Sequence, residues 1–531
     1  MKETGNRRTL LLLSIILLGL GIRVTGLKWG QGYSSFSSRD SLEAYTFVVD
    51  YARGDAKAQY LGQPNYNLHA KVPGPLWSLF GFIGVRYWGT VEGMVLMILL
   101  VNIILIYTTY LLAERTVGAS CALWAALFTA TLPIPVYYSV FVYNPNVMPF
   151  FGSLLFLALW EVTQRDRSRC IFWVMLILLI MPQFHLSVFS LLPAGVIILL
   201  ISSARLNLPW LFAGLFCGAT LYVPYVRGEI AHGWENTLAI PSGRPEHLWG
   251  GLKAAIAPWN MLVNYVPRWS PSAREYRELG QACFGWSGIF VALNLLSGII
   301  ALLLLSRVFQ ETRKAMSGFF RSPRQAFKRS PAVIFLAIVI VVPLLCVFFS
   351  RQTYRIHYSI IWLAPLLSLV SYALMKWLAS PRVGKVFLVA VILMTCGNIW
   401  FMPAMFHYQG VCIDHGEYFL GSFHNLETVY QKLKAHAGNR CIAVDNTNYK
   451  LAITDPAYLP TLTIPAKRRA TEGRYLAEYV DTREKEFTAL HGIKTAPITY
   501  VLYRADQVPE GVSGIAYQGK GIALVARDPS P

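Results

Sequence analysis

Charge is what this 531-residue chain has least of: 14% of its residues are Asp, Glu, Lys or Arg, against the roughly 25% of an ordinary soluble domain. A water-soluble surface of the usual kind is thereby excluded. Acids are scarcer still, at 28 against 47 Lys and Arg. The eight cysteines form no CxxC pair, so a zinc or dithiol redox motif is absent. No small-x-small cleavage pattern follows Gly21-Ile22-Arg23, so the first apolar run reads as a retained span rather than a signal peptide. No internal repeat or charge run organises the long loops.

What is present is apolar. Hydrophobic residues make up 55% of the chain and aromatics 14%, and the mean hydropathy is +0.44. Counting about 17 to 25 apolar residues per span, helices are expected near residues 9–27, 89–112, 119–139, 145–162, 170–183, 186–204, 208–226, 286–306, 331–350, 358–376 and 385–404. The sequence therefore predicts an α-helical polytopic membrane protein of about 11 spans, with a small C-terminal α/β or α+β domain.

The net charge of +19 comes from Lys and Arg in short loops between apolar segments, such as Arg165, Arg167 and Arg169 or Arg321, Arg324 and Lys328. Such a distribution sets topology and excludes a nucleic-acid-binding face. It predicts a cytoplasmic N-terminus, a membrane domain over 1–405 with outer loops 28–76 and 228–285, and an extracytoplasmic domain over 406–531.

Trp234, Trp249, Trp259, Tyr265 and Trp269 give the second loop a composition suited to lipid headgroups, with an interfacial helix expected near Lys253 to Leu262. In the tail an amphipathic helix near Asn425 to His436, closed by Gly438, precedes strand-like runs at Cys441 to Val444, Ile498 to Tyr503 and Gly521 to Val525. Nothing in the tail resembles a catalytic motif, which leaves it as a stability or substrate-access module. Cys412 and Cys441 flank its start and are either free or joined in a disulfide.

Polar clusters in membrane proteins are kept for function, and the first loop holds the densest. Asp40 and Glu43 stand three apart, so a helix would put both carboxylates on one face. Asp40 is either a general base or the acid that favours a helix N-terminus. Lys71 precedes Val72-Pro73-Gly74-Pro75-Leu76, where two prolines restrict the chain as it re-enters the apolar region. It either meets a phosphate at headgroup depth or snorkels. His69 is a neighbouring donor, a metal ligand or a structural histidine.

Arg351 and Arg355 form a strongly cationic outer loop, where forked bonds to phosphate oxygens compete with pairing to loop acids. His357 and Tyr358 follow. Asn144, in Tyr143-Asn144-Pro145-Asn146, and His185, in Pro182-Gln183-Phe184-His185, sit at helix ends, where they bind sugar hydroxyls or cap frayed backbone. Glu229, His232, Glu235, Glu246 and His247 offer ligands for a divalent ion, but at no compact ligand spacing. No metal site or other cofactor is assigned.

In Arg39-Asp40, Lys71 to Leu76, Tyr143 to Asn146, Gln183 to Leu186 and Arg355 to Tyr358, the chain resembles the GT-C superfamily of membrane glycosyltransferases. Within it, the resemblance is to the family 39-like relatives of protein O-mannosyltransferases and lipid A aminoarabinose transferases. It covers about residues 1–405. It implies a polyprenyl-phosphate-linked sugar as donor in the membrane lipid and a glycan, lipid or protein as acceptor. The reaction would invert the anomeric centre at the outer face of a bacterial inner membrane.

On that resemblance Asp40 deprotonates the acceptor, while Lys71, Arg351 and Arg355 stabilise the departing phosphate. Glu43, His69, Asn144, His185, His357 and Tyr358 contact substrate. Where many relatives carry two adjacent acids, this chain has Asp40-Ser41, and Ala70 precedes the lysine. Glu43 is the candidate substitute one turn on. A lipid-linked glycan ligase or polymerase and a non-enzymatic transporter are the competing expectations.

Overall fold

The computed structural model describes residues 2–28, 39–65, 70–88, 91–202, 204–240, 254–263, 288–349, 356–415, 423–438, 440, 442–445, 476–477, 479–484, 498–504, 515–519 and 522–527. Among the described residues, seven helices are long and apolar enough to cross a membrane: Asn6–Leu27, Val91–Val117, Asn144–Thr163, Gly288–Ala315, Pro331–Phe349, Ile360–Leu378 and Gly384–Phe406. Leu208–Thr220 and Val223–Ala231 make an eighth if the pair, bent by 51°, is one span. The chain is a multi-pass membrane protein.

The count differs from the eleven expected partly because two apolar runs are interrupted by proline. α5 (Ala119–Thr131) stops before Pro133 and the Ile171–Ile180 helix before Pro182. Proline removes an N–H and its ring clashes with the carbonyl four residues back, which favours a helix end at Pro133 and Pro182, whereas Pro343 and Pro403 are accommodated inside long helices. In the expected helix near Lys253 to Leu262, residues 254–255 and Ala257–Asn260 are helical with a turn at Ile256 between them, and Lys253 lies outside the described residues.

The break after α5 also explains a buried cation. α1 (Lys2–Lys28) carries Arg23, which is fully buried. Its guanidinium donates to the carbonyls of Thr129 at 2.9 Å, Ala130 at 3.0 Å and Gly19 at 3.1 Å. Thr129 is the residue whose helical donor would have been Pro133, which has no N–H. The arginine thus satisfies carbonyls that the α5 to α6 (Pro133–Tyr137) break leaves without partners.

One end of the bundle gathers the polar elements. α2 (Arg39–Ala52) leads through an antiparallel hairpin of β1 (Leu61–Asn65) and β2 (Ala70–Pro73) into α3 (Leu76–Trp88). α3 packs on α4 (Val91–Val117), with Gly84 and Gly93 bringing the two backbones into contact. α7 (Met148–Thr163) then lies against α4, joined through Thr108 and Ser153, whose hydroxyls are 2.6 Å apart.

The tail forms a four-stranded sheet in the order β3-β4-β6-β5, namely Ile442–Asp445, Ile498–Arg504, Ile522–Arg527 and Ile515–Gly519. β3 and β4 run parallel and the remaining pairs antiparallel. The Phe423–Ala437 helix covers it with Leu426, Val429, Tyr430, Leu433 and Ala437, the three-and-four spacing of an amphipathic helix. Gly438, at φ +62°, closes that helix by donating to Lys434 O at 2.9 Å, as its position predicts. Cys441 and the side chain of Cys412 lie outside the described residues, as do Glu246 and His247.

Candidate active site

α2 is amphipathic. Leu42, Tyr45, Val48 and Val49 are buried, and the indole N–H of Trp77 on α3 donates to Ala44 O at 3.2 Å, seating the helix. Asp40, Glu43, Phe47 and Asp50 follow one another at spacings of three and four, a single face of the helix. Lys71 comes to this face. Its Nζ lies 4.7 Å from the centre of the Phe47 ring, an ammonium over an aromatic face. Glu43 is one turn along α2 from Phe47 and Asp40, in the first turn, about two.

Lys71 is held by its backbone. Its N–H donates to Asn236 Oδ1 at 2.6 Å, and Asn236 Nδ2 donates back to Lys71 O at 3.0 Å. Asn236 is itself fixed by Tyr225, whose hydroxyl accepts from Nδ2 at 3.2 Å, while the buried Glu229 accepts from Thr237 N at 2.7 Å. The second loop therefore grips the first at the lysine. Partial burial lowers the ammonium's pKa and Lys57 adds to the effect, while Asp55, Asp50 and Glu235 oppose it.

After the lysine the chain turns at Gly74, which has φ +97° and donates to Tyr60 O at 3.0 Å. A Cβ at this position would run into the side-chain amide of Gln183. That amide is fully buried and tied to Leu221 O at 3.2 Å, so it has little room to yield. Glycine is required twice over, by conformation and by space. Gly74→Ala is expected to destabilise the protein by about 2–4 kcal/mol. Gly54, also left-handed at φ +76° but with nothing near its would-be Cβ, should lose only about 1 kcal/mol on the same change. Thermal unfolding of the two variants in one detergent checks this, and equal shifts would refute the steric argument.

Behind the hairpin, Gln63 Nε2 donates to Asn144 Oδ1 at 2.7 Å, and Asn144 Nδ2 donates to Phe184 O. The carbonyl of Asn146 takes a bond from Asn102 at 3.0 Å. His185 caps the Leu186–Leu191 turn, its Nδ1 accepting from Ser187 N at 3.1 Å with the Ser187 hydroxyl at 2.8 Å. That leaves Nε2 as the protonated nitrogen. Burial pushes the imidazole down to about 4, so it is neutral at neutral pH.

Around His185 gather His357, with ring centres 5.4 Å apart, and Tyr358, at 5.5 Å. Tyr143 meets His357 edge-on at 5.1 Å, its hydroxyl 3.2 Å from an imidazole nitrogen. The cluster and the Lys71 turn are neighbours through consecutive residues: Gln183 backs Gly74, and His185 meets His357.

No protein-family model and no curated protein matches the sequence. Solved structures do match. ArnT from Cupriavidus metallidurans bound to undecaprenyl phosphate aligns over 98% of this chain and 97% of its own, with a TM-score of 0.56 at 13% identity. The apo state of the same protein gives 0.44 over 92% and 78%, at 14% identity. The apo oligosaccharyltransferase of Archaeoglobus fulgidus gives 0.44 over 94% and 70%, at 11% identity. The chain shares its overall fold with that undecaprenyl-phosphate-bound ArnT structure. At 13% identity the likeness to ArnT is one of fold.

Among the residues singled out from the sequence, the structure brings Lys71 to α2 at Phe47, one turn along the helix from Glu43, and places Asn144, His185, His357 and Tyr358 behind the hairpin. Asn144 is 1% exposed with both ends of its amide engaged, so capping buried backbone is what it does here. His69, Arg351, Arg355 and the side chain of Asp40 lie outside the described residues.

Glu229 serves the second loop internally by bonding Thr237 N, whereas the His232 ring stacks on Tyr60 of the first loop with centres 5.4 Å apart. Among the described residues no three His, Cys, Asp or Glu side chains gather as a metal site. Sequence reading missed Asn236, Gln63 and Phe47. Only partners distant in sequence give these three their roles, so no local pattern marks them.

Proposed function

We propose that this protein transfers a sugar from a polyprenyl-phosphate-linked donor to an acceptor hydroxyl, with inversion at the anomeric carbon. The observation that carries the reading is the meeting of Lys71 with the α2 face that begins at Asp40 and Glu43, on the fold shared with ArnT. The similar ArnT structure holds undecaprenyl phosphate, which supports a lipid phosphate as the leaving group.

Asp40 takes the proton of the acceptor hydroxyl as its oxygen bonds to the anomeric carbon. The bond from that carbon to the phosphate oxygen breaks, and the polyprenyl phosphate departs with the electron pair. A leaving phosphate dianion needs fixed positive charge more than a proton, and Lys71 with Arg351 and Arg355 supplies it. Glu43 and His69 orient the acceptor and headgroup. The rings of His185, His357 and Tyr358 form the wall against which the sugar lies, and Asn144 holds that wall to the hairpin. With His185 neutral, the wall adds no charge that would bind the phosphate in an unproductive place.

The 1–405 region is the membrane-embedded catalytic part and 406–531 a domain outside it. The Lys and Arg distribution supports an N-terminus in the cytoplasm with the site on the opposite side, and the resemblance to family 39-like relatives supports a bacterial inner membrane. The acceptor is a glycan, a lipid or a protein. The test is loss of label from a panel of undecaprenyl-phosphate sugars in membranes that contain the protein. One donor consumed, with the label appearing on an acceptor, supports the proposal; no loss from any donor overturns it and favours a transporter.

A further inference from the structure

α2 also packs against the tail. Tyr45, fully buried, stacks on Tyr479 with ring centres 6.1 Å apart and planes 26° from parallel. One residue on, the hydroxyls of Thr46 and Thr482 are 3.1 Å apart. Thr46 donates to Leu42 O at 2.9 Å, so its oxygen is the acceptor for Thr482. Thr482 is 1% exposed. Tyr479 and Thr482 stand three apart in the helical residues 479–484 and so share one face.

The tail holds that face still. Glu427, on the Phe423–Ala437 helix, takes the Tyr479 hydroxyl at 2.6 Å and a forked pair from Arg483 at 2.9 and 3.0 Å. Glu484, 6% exposed, takes Lys434 at 3.0 Å and the Tyr430 hydroxyl at 2.8 Å. Buried, bidentate, charge-assisted bonds of this kind fix geometry as well as adding energy. Such rigidity exceeds what a loose cover would need.

We propose that the C-terminal domain is the positioning element of the catalytic helix: Tyr479 and Thr482 set the depth and rotation of α2, and so of the carboxylates at its N-terminal end. This rests on the transferase reading above. The physical case is one of leverage. α2 begins at the start of the described first loop, tied to the membrane domain through Trp77 and Lys71, and the Tyr45 contact lies between one and two turns from Asp40. A base displaced by about 1 Å loses about 100-fold in rate, so a helix held from one side alone is a poor mount for it. Tyr479 and Thr482 are therefore positioning residues, acting through α2.

The experiment uses the full chain in lipid nanodiscs and compares wild type with Tyr479→Ala, Tyr479→Phe and Thr482→Val. Tyr479→Phe keeps the stack and removes the hydroxyl that bonds Glu427; Thr482→Val is isosteric and removes the hydroxyl that bonds Thr46. Hydrogen exchange of residues 42–50 is read beside that of α4 as internal reference, and sugar transfer is measured on matched protein. The expected result for Tyr479→Ala is exchange about tenfold faster in α2 with α4 unchanged. Its kcat should fall about 10- to 100-fold at unaltered donor KM. Tyr479→Phe is expected to restore both, and Thr482→Val to fall between.

Unchanged α2 exchange in Tyr479→Ala overturns the proposal, as does faster exchange with kcat intact. A wild type that consumes no donor sinks the transferase reading instead, and the exchange comparison still decides whether the tail holds α2.

Discussion

Asp40→Asn is expected to lower sugar transfer by about three orders of magnitude at saturating donor, because a general base contributes roughly 100- to 10,000-fold and asparagine cannot take the acceptor's proton. The change is isosteric and lies in the first turn of α2, where asparagine also caps helices well, so folding should be little affected. The loss should appear in kcat, with donor KM nearly unchanged, since the acceptor's proton moves only in the transition state. Glu43→Gln supplies the contrast. Glu43 is one turn further along the same face, in place to orient rather than to take the proton, and its loss should cost much less. Should Glu43→Gln abolish transfer while Asp40→Asn leaves it intact, the two roles are exchanged. Transfer by Asp40→Asn within a few-fold of wild type would remove it as base.

The second large effect is at Lys71. Replacing it with methionine should reduce kcat/KM by about 100- to 1,000-fold, the loss typical when one group that stabilises a developing anion is removed. The pH dependence is more diagnostic. Burial, reinforced by Lys57, holds the pKa of Lys71 below the ordinary lysine value. The charged form is the one that meets the leaving phosphate, so activity is present below that lowered pKa and is lost as pH rises through it. Wild-type kcat/KM should therefore decline on the alkaline side before a solvent-exposed lysine would titrate. In Lys71→Arg that alkaline limb should disappear, because guanidinium stays charged throughout the accessible range, whatever the variant's absolute rate. An alkaline limb identical in wild type and Lys71→Arg would assign it to another group.

The two predictions separate two jobs that the geometry places within about two helical turns of each other. α2 brings its carboxylates by helical spacing, whereas Lys71 arrives from a hairpin and is aimed by its backbone. Asn236 makes that possible. Its paired bonds to Lys71 N and O fix the strand while the ammonium stays free to settle over Phe47. The neutral His185 behind the hairpin is consistent with this division, since a second fixed charge there would compete for the phosphate.

Much of this was legible in the sequence by itself, because it depends on neighbours along the chain. Long apolar runs gave the membrane class, and the spacing of Asp40 and Glu43 gave a shared helical face that α2 realises. Gly438 ended the tail helix where expected, and the strand-like runs became β3, β4 and β6. Proline was a local signal weighed too lightly: Pro133 and Pro182 divide runs whose hydropathy alone reads as spans.

Only the tertiary structure decided the rest, since it depends on groups far apart in the chain. Arg23 carried no role in the expected 9–27 span, and the carbonyls of Thr129 and Ala130 close around it. Asn236 reaches Lys71 across 165 residues and Thr482 reaches Thr46 across 436. Hydropathy and helical period report what each residue does for its own element, and they determined that this chain is a bundle of membrane helices with a polar first loop. Which carboxylate, lysine and tyrosine then meet is set by the packing of elements against one another, and no period within the sequence records that.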